Sequence, residues 1–378
     1  MTDRGTTDRG TTDRGTTDRG TTVLVTGGAG FIGSHVVEAL VAAGRRVRVL
    51  DSLRADVHGT DPDLTVLETL GDAVDLHVGD VTGRHDVEAA LDGCDVVVHL
   101  AAKVGLGVDF DDTEDYVHSN VTGTAVLLAA TARRAVHRLV LASSMVVYGD
   151  GDYLDAQGRV VRPLPRSPAD LRDGRFDPVG PGGEPLLPTL VGEESVLAPQ
   201  NVYAATKLHQ EHLAQAWARS TPGRAALLRF HNVYGPRMPM DTPYAGVASI
   251  FRSALERGEA PQVFEDGRQR RDLVHVRDVA DAVVHAAGWT GTAEAGCARA
   301  FNVGSGVVHT VGELATALSG ALGGPAPEVT GAFRLGDVRH VTASSARIGA
   351  ELGWRARIAF DDGVAELAAA PLRRAVRT

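Results

Sequence analysis

Val23-Leu-Val-Thr-Gly-Gly-Ala-Gly-Phe-Ile-Gly33 passes from a short apolar run through a glycine-rich turn into a helical pattern. Gly27, Gly30 and Gly33 stand three residues apart, as Gly-x-x-Gly-x-x-Gly. Glycines at such a strand-to-helix turn allow a tight bend and let the backbone approach a pyrophosphate closely. The helix that follows would aim its unpaired N–H groups at the phosphates. The expected cofactor contacts here are Gly27, Gly30, Phe31, Ile32 and Gly33.

The glycine spacing alone is weak, but its surroundings strengthen it. Asp51 closes the next apolar run, Val-Arg-Val-Leu-Asp51. A carboxylate there accepts hydrogen bonds from a ribose diol and repels a 2′-phosphate, which points to NAD rather than NADP. Arg54 lies close enough in sequence to soften that repulsion. Asp80-Val81 ends a third run, where an adenine edge would lie, and Leu100-Ala101-Ala102-Lys103 ends a fourth. Small residues there would let the chain pass near the cofactor, and Lys103 could reach its pyrophosphate.

Further along, short apolar runs alternate with amphipathic stretches. Residues 23–25, 47–50, 75–78, 96–100, 139–142 and 226–229 read as strands, and 33–43, 85–92, 121–135 and 203–219 as helices. This alternation indicates an α/β protein with a Rossmann-like doubly wound parallel sheet over residues 23–235. Residues 150–200 interrupt it with a Pro-, Gly-, Asp- and Arg-rich insertion, either a passive surface loop or a wall of the site. Residues 236–378 read as a smaller C-terminal substrate-binding lobe, with helices over 244–257, 278–288 and 311–321 and a strand at 300–303 returning to the main sheet. Residues 2–22 repeat Thr-Thr-Asp-Arg-Gly without an apolar side chain, so residues 1–22 read as a disordered tail.

Tyr203 and Lys207 occur in Asn201-Val-Tyr-Ala-Ala-Thr-Lys207, four residues apart at the head of a predicted helix. Positions i and i+4 share a helix face, so the phenol and the ammonium point the same way. A free phenol has a pKa of about 10, too high for a base at neutral pH. A nearby ammonium and a positive nicotinamide ring would favour its ionised form. Ser144, at the end of a strand in Leu-Ala-Ser-Ser144-Met-Val-Val-Tyr148, can bond the same substrate oxygen.

The totals exclude other classes. Of the 378 residues, 43% are hydrophobic and 23% charged, as in an ordinary globular protein. The net charge of −10 is spread along the chain and argues against nucleic-acid or anionic-membrane partners. Cys94 and Cys297 are the only cysteines, with no metal-ligand spacing, so no metal is expected and a reducing cytoplasm fits. No apolar stretch reaches membrane-spanning length, and no apolar signal core marks the N-terminus.

Taken together, residues 23–360 resemble the extended short-chain dehydrogenase/reductases of the nucleotide-sugar epimerase/dehydratase type. The resemblance implies Tyr203 as the acid/base, Lys207 as its ribose-binding modulator, Ser144 as the hydroxyl partner, and Asn120 shaping the site from a neighbouring helix. In Arg229-Phe-His-Asn-Val-Tyr-Gly-Pro-Arg237 it implies that Asn232 meets the substrate phosphates. Arg271 resembles the diphosphate arginine, Arg334 and Asp337 the pair at the nucleotide end, and Gln262-Val-Phe264 the strand that reads the base. Guanidinium forks suit phosphate oxygens.

Three reactions of the family compete. Dehydratases resemble a site with Asp-Glu after the strand-end hydroxyl, where this chain has Met145 and Val146. Decarboxylases resemble a site with a nearby glutamate, which is also missing. A 4-epimerase needs only the tyrosine, bound NAD and room for a 4-keto sugar to turn, and this is the expected activity on an NDP-hexose. The long insertion, Lys103-Val-Gly-Leu-Gly107 and Pro243-Tyr-Ala-Gly-Val-Ala-Ser-Ile-Phe251 resemble the actinobacterial dTDP-L-rhamnose 4-epimerase type, although the cysteine pairs of those inserts are lacking. A UDP-sugar 4-epimerase, an NDP-4-keto-sugar reductase and a catalytically silent dinucleotide-binding regulator are the alternatives. The surplus apolar residues of helices 121–135 and 203–219, like the resemblance, imply a homodimer.

Overall fold

The computed structural model describes residues 20–105, 110–240 and 246–374. Seven parallel strands form the central sheet: β1 (Thr22–Thr26), β2 (Arg46–Asp51), β3 (Val74–Val78), β4 (Val96–His99), β5 (Arg138–Ser144), β6 (Arg224–Phe230) and β7 (Ala298–Val303). Their order is β7-β6-β5-β4-β1-β2-β3, so the direction in which strands are added reverses between β1 and β4. In such sheets the crevice at that reversal, beyond the strands' C-terminal ends, is where ligands bind.

Both faces of the sheet are buried except along its edge strand β3, which explains why the inner strands read as largely apolar runs. Val23, Val25, Val96, Val98 and Val140 face one core, while Leu24, Val97, Leu139 and Leu141 face the other. This is the two-residue alternation of extended chain. The first core lies under α1 (Phe31–Ala42), and the second under α2 (Arg84–Ala90), α3 (Gly123–Arg133) and α4 (Val202–Ser220). Beyond α4 the chain adds α5 (Val247–Glu256), α6 (Val276–Thr292), α7 (Val311–Leu322) and α8 (Phe360–Ala369).

The expected return to the sheet is larger than one strand. α6 contributes Val279, Val283, Ala286 and Ala287 to the first core, beneath the sheet, and β7 pairs along β6 from Ala298 to Val303. Ile348 and Trp354, still later, belong to the same core. The remaining lobe is built on α5, α7 and α8, around Tyr234, Met238, Phe251, Leu314, Leu318, Val364 and Leu367. Of the tail expected over residues 1–22, residues 1–19 lie outside those described, and Thr22 already pairs with Arg46 in the sheet.

The insertion forms a small antiparallel sheet, Tyr153–Leu154 pairing with Val160–Val161 and Leu187–Pro188, and is pinned to the second lobe. Arg166 donates to Glu265 at 2.7 Å and to the Asp337 carbonyl. Asp177 accepts from Arg339 at 2.8 Å, and Val191 bridges to Ala343. Arg162 caps the Tyr148 carbonyl, whereas Arg159 stays exposed on Asp155. Arg166 thus ties the insertion to the second lobe, and Arg162 ties it to the turn after β5.

Candidate active site

The turn between β1 and α1 depends on missing side chains. Gly27 has φ +72, and a Cβ there would lie 2.8 Å from the Ala101 nitrogen. A Cβ on Gly33 would come within 2.0 Å of the Gly27 carbonyl oxygen. Gly28, unnoticed in the sequence, has Val49 at 2.8 Å from where its Cβ would be. Gly30 is the N-cap of α1 with no side-chain cap, and the first turn carries no acidic residue. The orphan N–H groups around Phe31, Ile32 and Gly33 are therefore left for an anion. These are the features a dinucleotide pyrophosphate requires.

Asp51 is 7% exposed at the end of β2. Its Oδ2 accepts the Ala29 N–H at 3.0 Å and its Oδ1 the Leu53 N–H at 3.0 Å. Burial works against ionisation, but His58, 3.4 Å away, and the two N–H donors outweigh it and hold the carboxyl below its ordinary value. The carboxylate is thus an ionised acceptor. Arg54 turns away and forks onto Asp56 and Asp115. Asp80 folds onto its own turn, accepting from the Thr82 N–H at 2.7 Å, while Val81 packs where α3 has Gly123.

At the end of β4, the Ala101 N–H donates to Thr26 and leaves Leu100–Ala102 beside the glycine turn. Lys103 does not extend toward that turn. Its Nζ binds Asp112 at 3.0 Å and Asp115 at 2.8 Å, over the Tyr116 ring. Asn120 is fully buried in a π-helical stretch, Val117–Thr122, leading into α3. Its amide clamps both backbone groups of Lys103, at 2.7 and 3.0 Å, and donates to Thr206 of α4. The π turn, a common device at functional sites, places this amide between two elements.

Asn201 caps α4 by accepting the Ala204 N–H at 2.9 Å, so Tyr203 sits in the first turn and Lys207 one turn on. Ser144, at the end of β5, stands close enough to the Tyr203 hydroxyl to ease its ionisation. Burial pushes Tyr203 above its ordinary value, with Ser144 opposing that and Tyr116 adding to it. The chain alone therefore holds a neutral phenol. Lys207 lies 5.9 Å from the Tyr203 ring centroid and donates to the Ala142 carbonyl at 3.0 Å. Burial brings it down to about 7, against the pull of Glu211.

Glu211 is a member of the site that the sequence did not reveal. It stands one turn beyond Lys207, fully buried, and its carboxylate forks onto Arg229 at 2.7 and 2.9 Å while accepting from Ser143. The i, i+4 spacing from Lys207 was the available signal, but nothing in the sequence placed Arg229 opposite. Met145 and Val146 form a short helical turn after Ser144, and no cluster of three potential metal ligands occurs among the described residues.

In the second lobe, Arg334 lies 5.1 Å over the Phe264 ring, and Asp337 is near both Arg334 and Arg271. Burial raises Asp337 above its ordinary value, against those two arginines. Arg271 donates to the carbonyls of Arg270, Val338 and Arg339. Asn232 begins a strand paired with the Arg271 segment. Gln262 is set apart on an exposed edge, its amide bonded to Glu328 at 3.0 Å. Residues 106–107 and 243–245 of the quoted motifs lie outside the described residues.

With this geometry in view, the comparisons with known proteins are decisive. The pattern of the NAD dependent epimerase/dehydratase family matches residues 23–168 and 179–304. The chain belongs to that family. It is 34% identical over 349 residues to dTDP-L-rhamnose 4-epimerase of Burkholderia thailandensis, covering 91% of this chain and 93% of that one. It is 32% identical to UDP-glucose 4-epimerase of Mycolicibacterium smegmatis, covering 91% and 96%. Among solved structures it superposes on a UDP-N-acetylglucosamine 4-epimerase from Methanobrevibacter ruminantium in complex with UDP-N-acetylmuramic acid, with TM-score 0.74, 25% identity and coverage of 93% and 97%. The NAD complex of Thermus thermophilus UDP-glucose 4-epimerase gives TM-score 0.70 at 31% identity, covering 92% and 97%. NAD is the cofactor of this family, and the glycine turn, the uncapped α1 terminus and the Asp51 carboxylate fit it.

Proposed function

We propose that the protein is an NAD-dependent nucleotide-sugar 4-epimerase that inverts C4 of an NDP-hexose. One arrangement carries the reading: Ser144 stands beside the Tyr203 hydroxyl, Lys207 follows one helical turn on, and Met145 and Val146 replace the acidic pair of a dehydratase. Hydride exchange at C4 is the chemistry that NAD supplies when bound. The chain's own residues move the proton and hold the sugar.

Tyr203 takes the C4 hydroxyl proton and returns it after the sugar has turned. Ser144 fixes that oxygen. Lys207, with its ammonium supported by Glu211, binds ribose and favours the phenolate. Asp51 receives the adenosine ribose, and the α1 terminus the pyrophosphate. Arg271, Asn232, Arg334, Asp337 and Phe264 receive the nucleotide diphosphate, so the sugar pivots about that anchor. The insertion forms a wall of this pocket.

Incubating the purified protein with dTDP-L-rhamnose, UDP-glucose and UDP-N-acetylglucosamine and following C4 epimers by NMR tests the reading. Absence of any epimer from the three would refute it. We further propose a cytoplasmic homodimer. Both cysteines are unpaired thiols, and Ala125, Ala129, Ala205 and Ala216 leave exposed small apolar positions on α3 and α4. A monomeric mass by light scattering at micromolar concentration would reject the dimer.

A further inference from the structure

The steps above leave His231 unused. It follows Phe230, whose partner in the β5–β6 register is Ser144. Adjacent strands lie about 4.8 Å apart, so His231 sits just past the serine at the C-terminal edge of the sheet. Its N–H donates to the Val303 carbonyl at 3.0 Å, and the next residue, Asn232, pairs with Leu273. His231 therefore stands where the main sheet passes into the second lobe, within electrostatic reach of Arg271.

The side chain is 4% exposed, yet neither Nδ1 nor Nε2 has a hydrogen-bond partner. Asn232 Oδ1, beside it, is also buried and unpartnered. Native interiors leave few polar groups in this condition, and those at ligand sites are completed by the ligand. Burial, and then the charge of Arg271, bring the imidazole down to about 3, so it is neutral at physiological pH. A neutral imidazole offers one donor and one acceptor in either tautomer. With Asn232 Oδ1 the set is one donor and two acceptors. An ionised phosphate, which only accepts, could satisfy one of the three. Two neighbouring hydroxyls can satisfy them all, since each both donates and accepts.

We infer that His231, with Asn232 Oδ1, binds two adjacent ring hydroxyls of the sugar and so sets which hexoses this enzyme accepts. This rests on the nucleotide-sugar reading above. His231 takes no proton in the reaction; it positions the sugar. Asn232 Nδ2 remains available for the diphosphate.

The test is calorimetric titration of the full NAD-loaded chain with UDP-glucose, its 2-deoxy and 3-deoxy analogues, their dTDP counterparts, and UDP or dTDP alone. His231→Phe keeps a ring of similar size but no polar atom. It should weaken the intact sugar nucleotide by about 10- to 100-fold and leave the sugar-free nucleotide unchanged. His231→Gln, which keeps a donor and an acceptor, should restore most of that loss. In the wild type, one or both deoxy analogues should bind correspondingly weakly, a result that stands even if the phenylalanine variant does not fold. Equal affinity of wild type and His231→Phe for the intact sugar, or of wild type for both deoxy analogues and the parent, overturns the inference. So does an equal loss of sugar-free nucleotide, which would assign His231 to the phosphates. Binding of the sugar nucleotide without any C4 epimer refutes the epimerase reading alone, and no binding of either sugar nucleotide refutes both.

Discussion

Glu211→Gln removes the charge at the centre of a buried network behind the catalytic pair. Glu211 is fully buried and Arg229 is 3% exposed, joined by two hydrogen bonds of 2.7 and 2.9 Å. Breaking one partner of such a pair costs roughly 3–5 kcal/mol, because the other charge stays buried without compensation. Glutamine still accepts from Ser143, so the expected cost is at the low end, about 3 kcal/mol. With an unfolding entropy of ~2 cal/mol/K per residue, that lowers Tm by roughly 4 °C. Arg229→Met leaves a bare carboxylate and should cost about 4–5 kcal/mol. Residues in direct contact couple, so the double variant should be more stable than the sum of the singles by about 2–3 kcal/mol. Urea unfolding of the four proteins measures this cycle. The same substitution reaches the chemistry: Glu211 pulls Lys207 upward against burial, and the balance stands at about 7. Without that pull the ammonium is lost at lower pH, and the kcat/KM profile should move toward acid. Additive costs, or a Glu211→Gln penalty below about 1 kcal/mol with an unmoved profile, would refute the reasoning.

Tyr203→Phe should abolish turnover while NAD stays bound, since only the ionisable oxygen is lost; retention of more than a few per cent of epimerisation, by NMR, would sink its role. Asp51→Ala should weaken NAD and reduce discrimination against NADP, and unchanged NAD in the purified variant would exclude a ribose contact. Lys207 releases its proton at about 7 when folded, well below its ordinary value of 10.5. Between those values the unfolded chain binds more protons, so this group makes stability rise with pH across that window. Lys207→Met should flatten that rise, which urea unfolding between pH 7 and 10 would show. Replacing Asp155–Pro188 by a Gly-Ser bridge should keep NAD bound, raise KM or lower kcat, and reduce the stability of the second lobe by freeing Arg339 and His340 from Asp177. Unchanged kinetics would make the insertion a bystander.

Local chemistry accounts for what could be read from the chain alone. The six strands read from their apolar runs all occur, because a parallel sheet whose inner strands are buried on both faces demands such runs. Gly27 and Gly33 were visible because close backbone approach admits no Cβ, Gly30 because it opens α1 without a capping side chain, and Tyr203 with Lys207 because a helix brings i and i+4 together. The network of Glu211 with Arg229, the turning of Lys103 onto Asp112 and Asp115, the anchoring of Arg166 and Arg339, and the unsatisfied His231 were decided elsewhere. Each depends on a partner distant in the chain, or on burial without one. The pattern of a helix or strand repeats within a few residues and is written locally. A long side chain's partner is set by which distant elements the tertiary packing brings beside it, and only the folded chain decides that.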